Sequence, residues 1–150
     1  MIQPSAATVA APPRVDRIVA FAHVASVSAS ERFYGLFGFA ARDIQFTPDG
    51  RPYWAFLACG SAELMIALAG EPVVAEHQAV LFYLYCPDVA GLRAHLLASG
   101  LTDGGRFEPG NPHATARRVV FEPTHPPYMP AGELRVHDPD GYCLLIGQIG

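Results

Sequence analysis

A chain of 150 residues, half of them hydrophobic and only 16% charged, has enough apolar material for one packed core, which argues against global disorder. The net charge is −4, and the ten cationic side chains are all arginine and scattered apart from Arg117–Arg118, which excludes the basic stripe of a nucleic-acid partner. No uncharged apolar run approaches the ~20 residues of a bilayer-spanning helix, so no membrane role is expected.

Residues 1–16 open on MIQPSAATVAAPPR, with neither a basic start nor a hydrophobic stretch of signal-peptide type, and read as a mobile Pro/Ala tail. Arg17–Val24 is the first strand. Ser28-x-x-Glu31 reads as a capping box opening a helix from Ala29 to Phe37, whose apolar edge is Phe33, Leu36 and Phe37 and whose stop is Gly38. Strands follow at Phe39–Phe46, Tyr53–Cys59 and Glu63–Ala69, separated by the turns Thr47–Gly50 and Gly60–Ser61. A polar connector, Gly70–Gln78, leads to Ala79–Cys86, a run of eight apolar or aromatic residues too short for a helix and rich in strand formers. Asp88 then caps a helix with Val89, Leu92, Leu96 and Leu97 on one stripe, and Gly100 ends it. From Gly100 to Pro130 the chain is rich in Gly and Pro, with one strand at Arg118–Phe121. Gly132–His137, the turn Asp138–Gly141 and Tyr142–Gln148 form the closing hairpin.

One unit has been written twice. Val19 and Leu81 are 62 positions apart, and so are the helix stops Gly38 and Gly100. Each half reads β-α-β-β-β, about 17–69 and 79–148, so the expected class is α+β with paired βαβββ modules in a single domain over 17–150. The three cysteines, Cys59, Cys86 and Cys143, have neither zinc-knuckle nor CxxC spacing and read as small buried hydrophobes of a reducing, cytoplasmic protein.

The segments His23–Phe39, Trp54–Ala67, Leu81–Leu101 and Gly132–Gln148, with FYGLFGF closing the first helix and DPDGY before the last strand, resemble the vicinal oxygen chelate superfamily. That group includes glyoxalase I, extradiol dioxygenases and the bleomycin and fosfomycin resistance proteins. The resemblance implies curved sheets forming cup-shaped cavities, and often a homodimer. It implies no single function, because the scaffold hosts lyases, dioxygenases, transferases and drug-sequestering proteins. Its catalytic members hold a divalent metal on the first and last strands of each module. The matching positions here are Val19, Met65, Leu81 and Leu145, none of which offers an oxygen or nitrogen donor. Ser26 stands where the family usually has an acidic helix cap.

With those positions apolar, no cofactor is expected and the cup reads as a small-molecule pocket. Val19, Phe21, His23, Leu81, Tyr83, Tyr85, Cys143 and Leu145 share the slot-bearing faces of their strands, and Trp54 and Phe56 alternate on another strand, on a face the sequence leaves open. Tyr128, in a Pro-rich loop, is placed to be a lid, while Glu133 and Arg135 alternate on one strand either as a cross-strand pair or as a solvated face. His77, His113, His125 and His137 show no ligand spacing and read as surface or loop histidines. Two functions stay open. One is a metal-independent binder of a planar or cationic organic molecule. The other is a metal-dependent lyase, isomerase or dioxygenase whose displaced site uses His23, Glu63 and a loop histidine. A ligand-free dimeric scaffold is the third reading. No catalytic residue is assigned.

Overall fold

The computed structural model describes residues 13–77 and 81–150. Most of the expected N-terminal tail and the first two residues of the strand expected from Ala79 therefore lie outside the described residues.

The first half runs β1 (Ala20–Val24), α1 (Val27–Gly35), β2 (Ala40–Phe46), β3 (Pro52–Cys59) and β4 (Ala62–Leu68). These strands form one sheet in the order β1-β4-β3-β2, with β1 parallel to β4 and the other pairs antiparallel. The second half runs β5 (Leu81–Cys86), α2 (Val89–Ala98), β6 (Thr102–Asp103), β7 (Val119–Val120), β8 (Glu133–His137) and β9 (Cys143–Gln148). Its sheet, β5-β9-β8-β7-β6, repeats the pattern, again with the first strand parallel to the last. The addition is β6, which pairs parallel with β7 at the sheet edge. It was not foreseen because two exposed polar residues carry no hydrophobic period.

Alternation sorts each strand into two faces. Ala22, Val24, Ala55, Leu57, Leu64 and Ile66 face α1 and are buried with Phe33 and Tyr34. Leu134, Val136, Leu144 and Ile146 do the same against α2, whose Val89 and Leu96 are buried. Helix α2 starts as expected: Asp88 accepts the Gly91 amide at 2.9 Å, and Gly100 takes φ +100° past its end. Helix α1 corrects the sequence reading. Its N-cap is Ser26, accepting the Ala29 amide at 3.1 Å, and Ser28 lies inside the helix. Val27 is 2% exposed, so burying it draws the helix start back one half-turn. The cysteines also differ from expectation: all three are free, but Cys59 is exposed and only Cys143 is buried.

The halves meet at the DPDGY turn. Asp138 and Asp140, 0% and 1% exposed, project from the β8–β9 turn onto the start of α1. Asp140 accepts the Ala25 amide at 2.8 Å and the Ser30 hydroxyl, and Asp138 accepts the Tyr34 hydroxyl at 2.7 Å. Tyr142 donates to the His23 carbonyl at 2.8 Å and stacks on Phe82 with ring centroids 5.7 Å apart. Burial raises the Asp138 carboxyl to about 6, even though Tyr34 and two backbone amides, of Asp140 and Tyr142, favour its charged form. Tyr34 is raised well above its ordinary value, first by burial and then by the Asp138 charge.

Candidate functional site

The faces turned away from the helices are open, and register fixes which side chains share a row on them. In the first half, Phe21 of β1, Met65 of β4 and Phe56 of β3 lie abreast, and His23, Ala67 and Trp54 form the next row. This settles the face of Trp54 and Phe56: they stand with Phe21 and His23. Val19 lies one residue before β1 and is half-buried. At its end of this face Glu63 is bridged by two guanidiniums, Arg17 at 2.9 Å and Arg42 at 3.1 Å, each lying near the Phe56 ring. His23 pairs with Ala67, four residues along β4 from Glu63, a separation of roughly 13 Å by strand rise. The two polar groups of the displaced metal site are thus not brought together.

In the second half the rows are Leu81–Cys143–His137, Tyr83–Leu145–Arg135 and Tyr85–Gly147–Glu133, across β5, β9 and β8. Leu81, Tyr83 and Tyr85 are 54%, 40% and 64% exposed, large values for apolar or aromatic side chains on a sheet face. Met65 and Leu145 are equivalent, since Phe21 pairs with the first as Tyr83 pairs with the second.

Sequence reasoning missed the centre of this face. Glu133 is buried, and it accepts the Tyr83 hydroxyl at 2.7 Å and the Tyr128 hydroxyl at 3.0 Å. Among the described residues no cation reaches it. Gly147 makes this possible: a Cβ there would lie 2.5 Å from Met129 Cε and 3.0 Å from the Tyr83 hydroxyl. The absent side chain lets Tyr83 lean across β9 and lets the 126–130 segment settle over the strand. Desolvation, then the hydrogen bond to Glu133, pushes the Tyr83 phenol well up. For Tyr128 the hydrogen bond comes first. Both phenols therefore stay protonated donors. Tyr128 is two-thirds exposed, a lip beside the carboxylate. The one available signal was the glycine one residue from the end of an apolar strand.

Arg135 and Glu133 do not pair with each other or across a strand. Instead Arg135 lies 3.8 Å from the Phe107 ring centroid and donates through Nε to His137 Nε2 at 3.0 Å. His137 is a correction: it is 4% exposed, packed edge-on against Phe107 and Phe121, with Nδ1 2.9 Å from the Ala116 carbonyl oxygen. Burial lowers its pKa, so the ring is a neutral acceptor toward Arg135.

A cavity of about 400 Å³ opens between the unpaired edges of β1 and β5, lined by Ala20, Tyr34, Phe39, Glu63, Leu81 and Tyr83 among others. Leu81 also lines a second cavity of about 120 Å³ with Thr115, Arg135, His137 and Cys143. Among the described residues, no group of three or more His, Cys, Asp or Glu side chains is placed to hold a metal ion. No described helix is long and apolar enough to cross a membrane.

No protein-family model matches the chain, and no curated protein matches it in sequence. Solved structures do. A bleomycin-binding protein complexed with bleomycin superposes with a TM-score of 0.66 at 16% identity, over 91% of this chain and all of that one. A bleomycin resistance determinant encoded on the transposon Tn5 gives 0.65 at 17% identity, over 89% and 98%. TnmS3, an antibiotic binding protein from Streptomyces sp. CB03234, gives 0.59 at 19% identity, over 92% and 100%. Identities this low speak for architecture, and on that ground the chain has the α+β fold of the bleomycin-resistance and glyoxalase proteins, the vicinal oxygen chelate fold.

Proposed function

We propose that this protein binds a small organic cation with an aromatic body, without a metal, on the cup face of its second half. The observation that carries the reading is Glu133. A carboxylate withdrawn from water is costly unless a cation or several donors compensate it, and here two neutral tyrosine hydroxyls stand alone among the described residues. Tyr83 and Tyr85, with ring centroids 5.3 Å apart, and the exposed Tyr128 add aromatic faces beside it. Carboxylate and rings together suit an organic ammonium or amidinium, each ring contact contributing about 0.5–2 kcal/mol. In the first half the carboxylate on the open face, Glu63, is already neutralised by Arg17 and Arg42. The ligand contacts of this reading there are Val19, Phe21, His23, Trp54, Phe56 and Met65, a mostly apolar wall with one histidine, and the reading includes a homodimer. Bleomycin-binding and antibiotic-binding proteins of the same fold support a small-molecule role.

Isothermal titration with 2-naphthylmethylammonium and its neutral counterpart 2-naphthylmethanol tests the reading. The ammonium should bind at least about fivefold more tightly, and Glu133→Gln should abolish that ratio. Equal affinities in the wild type, or a ratio untouched by the substitution, overturn it. Elemental analysis of untagged protein addresses the metal: one divalent ion per chain would transfer support to a metal-dependent lyase or dioxygenase. Sedimentation velocity addresses the dimer.

A further inference from the structure

The second charge on this face is Arg135, two residues from Glu133 on β8, so the two face the same way roughly 7 Å apart by strand rise. A guanidinium carries five N–H donors, and in the described structure only Nε is used, toward a neutral histidine. Among the described residues no carboxylate lies within ion-pairing distance of it, although the side chain is half-buried. It is also held rigid. Phe107 covers one face of the guanidinium at 3.8 Å, His137 fixes Nε, and Ala116 fixes His137. The plane and direction of the two Nη groups are thereby set before anything binds. Arg135 borders the cavity of about 120 Å³ shared with Leu81, Thr115, His137 and Cys143, in which no described acidic residue takes part. A pre-oriented planar fork beside a small cavity matches a carboxylate or another oxyanion, which accepts two parallel N–H bonds.

We infer that the ligand is a zwitterion whose acidic group is held by Arg135 while its cationic end lies at Glu133. This rests on the reading of Glu133 as the partner of a cation, and extends it by naming the other half of the ligand. In the register Leu145 stands beside Arg135 and Gly147 beside Glu133, with Tyr83 and Tyr85 beyond them, so the body joining the charges would lie along an apolar and aromatic strip. The distance between the charges sets the scale of the ligand: about one fused aromatic unit or a short chain.

The test uses the full chain with 6-(aminomethyl)-2-naphthoic acid and its methyl ester, which share shape and ammonium and differ in the anionic group. At low ionic strength the wild type should bind the acid about tenfold more tightly than the ester. Arg135→Gln should bring the acid-to-ester ratio to about one, and Arg135→Lys, which keeps charge but loses the fork, should leave a ratio in between. If Arg135→Gln fails to fold, the wild-type and lysine ratios decide. Equal binding of acid and ester by the wild type overturns the zwitterion, and ester binding that still depends on Glu133 would leave the cation reading standing. Retention of the full ratio in Arg135→Gln also overturns it. A wild type that binds neither compound overturns both readings.

Discussion

Replacing Asp138 by asparagine isolates the electrostatic cost of the seam between the two halves. The Asp138 carboxyl is fully buried, and its pKa rises from an ordinary 3.8 to about 6 in the folded protein. At about 1.4 kcal/mol per pKa unit, that rise corresponds to about 3 kcal/mol. Its sign follows from proton counting. Between these two pKa values the folded chain holds a proton that the unfolded chain has released. The group's favourable contribution is complete below pH 3.8 and is lost as pH rises through 6. At pH 7.5 this one residue therefore makes the protein about 3 kcal/mol less stable than at acid pH, other groups apart. Asparagine keeps an oxygen for the Asp140 and Tyr142 amides and presents an NH₂ to Tyr34, whose hydroxyl can accept. Urea unfolding of both proteins at pH 4.5, 6 and 7.5 checks the reasoning. The stability of Asp138→Asn relative to wild type should rise across that range by about 2 kcal/mol. A difference independent of pH, or one that falls, would refute it.

Gly104→Ala should destabilise by about 1–3 kcal/mol in the same assay, because its Cβ would lie 2.5 Å from the buried Phe121 ring and 2.8 Å from Val119. Glu63→Gln should cost no more than about 1 kcal/mol, and the cost should shrink in 1 M salt, because both arginines are more than half exposed. An effect of several kcal/mol there would mean that Glu63 does more than neutralise Arg17 and Arg42.

Much of the architecture was legible because it is written in local patterns. The 62-residue period placed Phe21 opposite Tyr83 in the repeat, and the two parallel pairings, Phe21 with Met65 and Tyr83 with Leu145, repeat one register. Glycine stops and the Asp88 cap act within a few residues and could be read directly. The site was less legible because its polar groups take their character from distant chain. Glu133 looks like a strand-surface carboxylate until Tyr83, 50 residues earlier, crosses Gly147 to reach it. His137 looks like a turn histidine until the chain around Phe107 and Ala116 folds back over it. The helix start was ambiguous for a related reason: the resemblance puts a cap at Ser26, Ser28-x-x-Glu31 satisfies the local rule equally well, and the burial of Val27 against the core decides for Ser26.

The seam at Asp138 and Asp140 also orders events in time. The donors it receives, from Ala25, Ser30 and Tyr34, belong to the first helix and its approach, and they are separated from their acceptors by 104 to 115 residues. A chain emerging from the ribosome can pack its first helix on the first sheet early, but the polar groups of Ala25, Ser30 and Tyr34 stay unpartnered by the seam until the closing hairpin has been synthesised. The turn at Asp138–Asp140 thus finishes what residues 25–34 begin, and a nascent chain halted before Asp138 would leave the Tyr34 hydroxyl facing an empty socket.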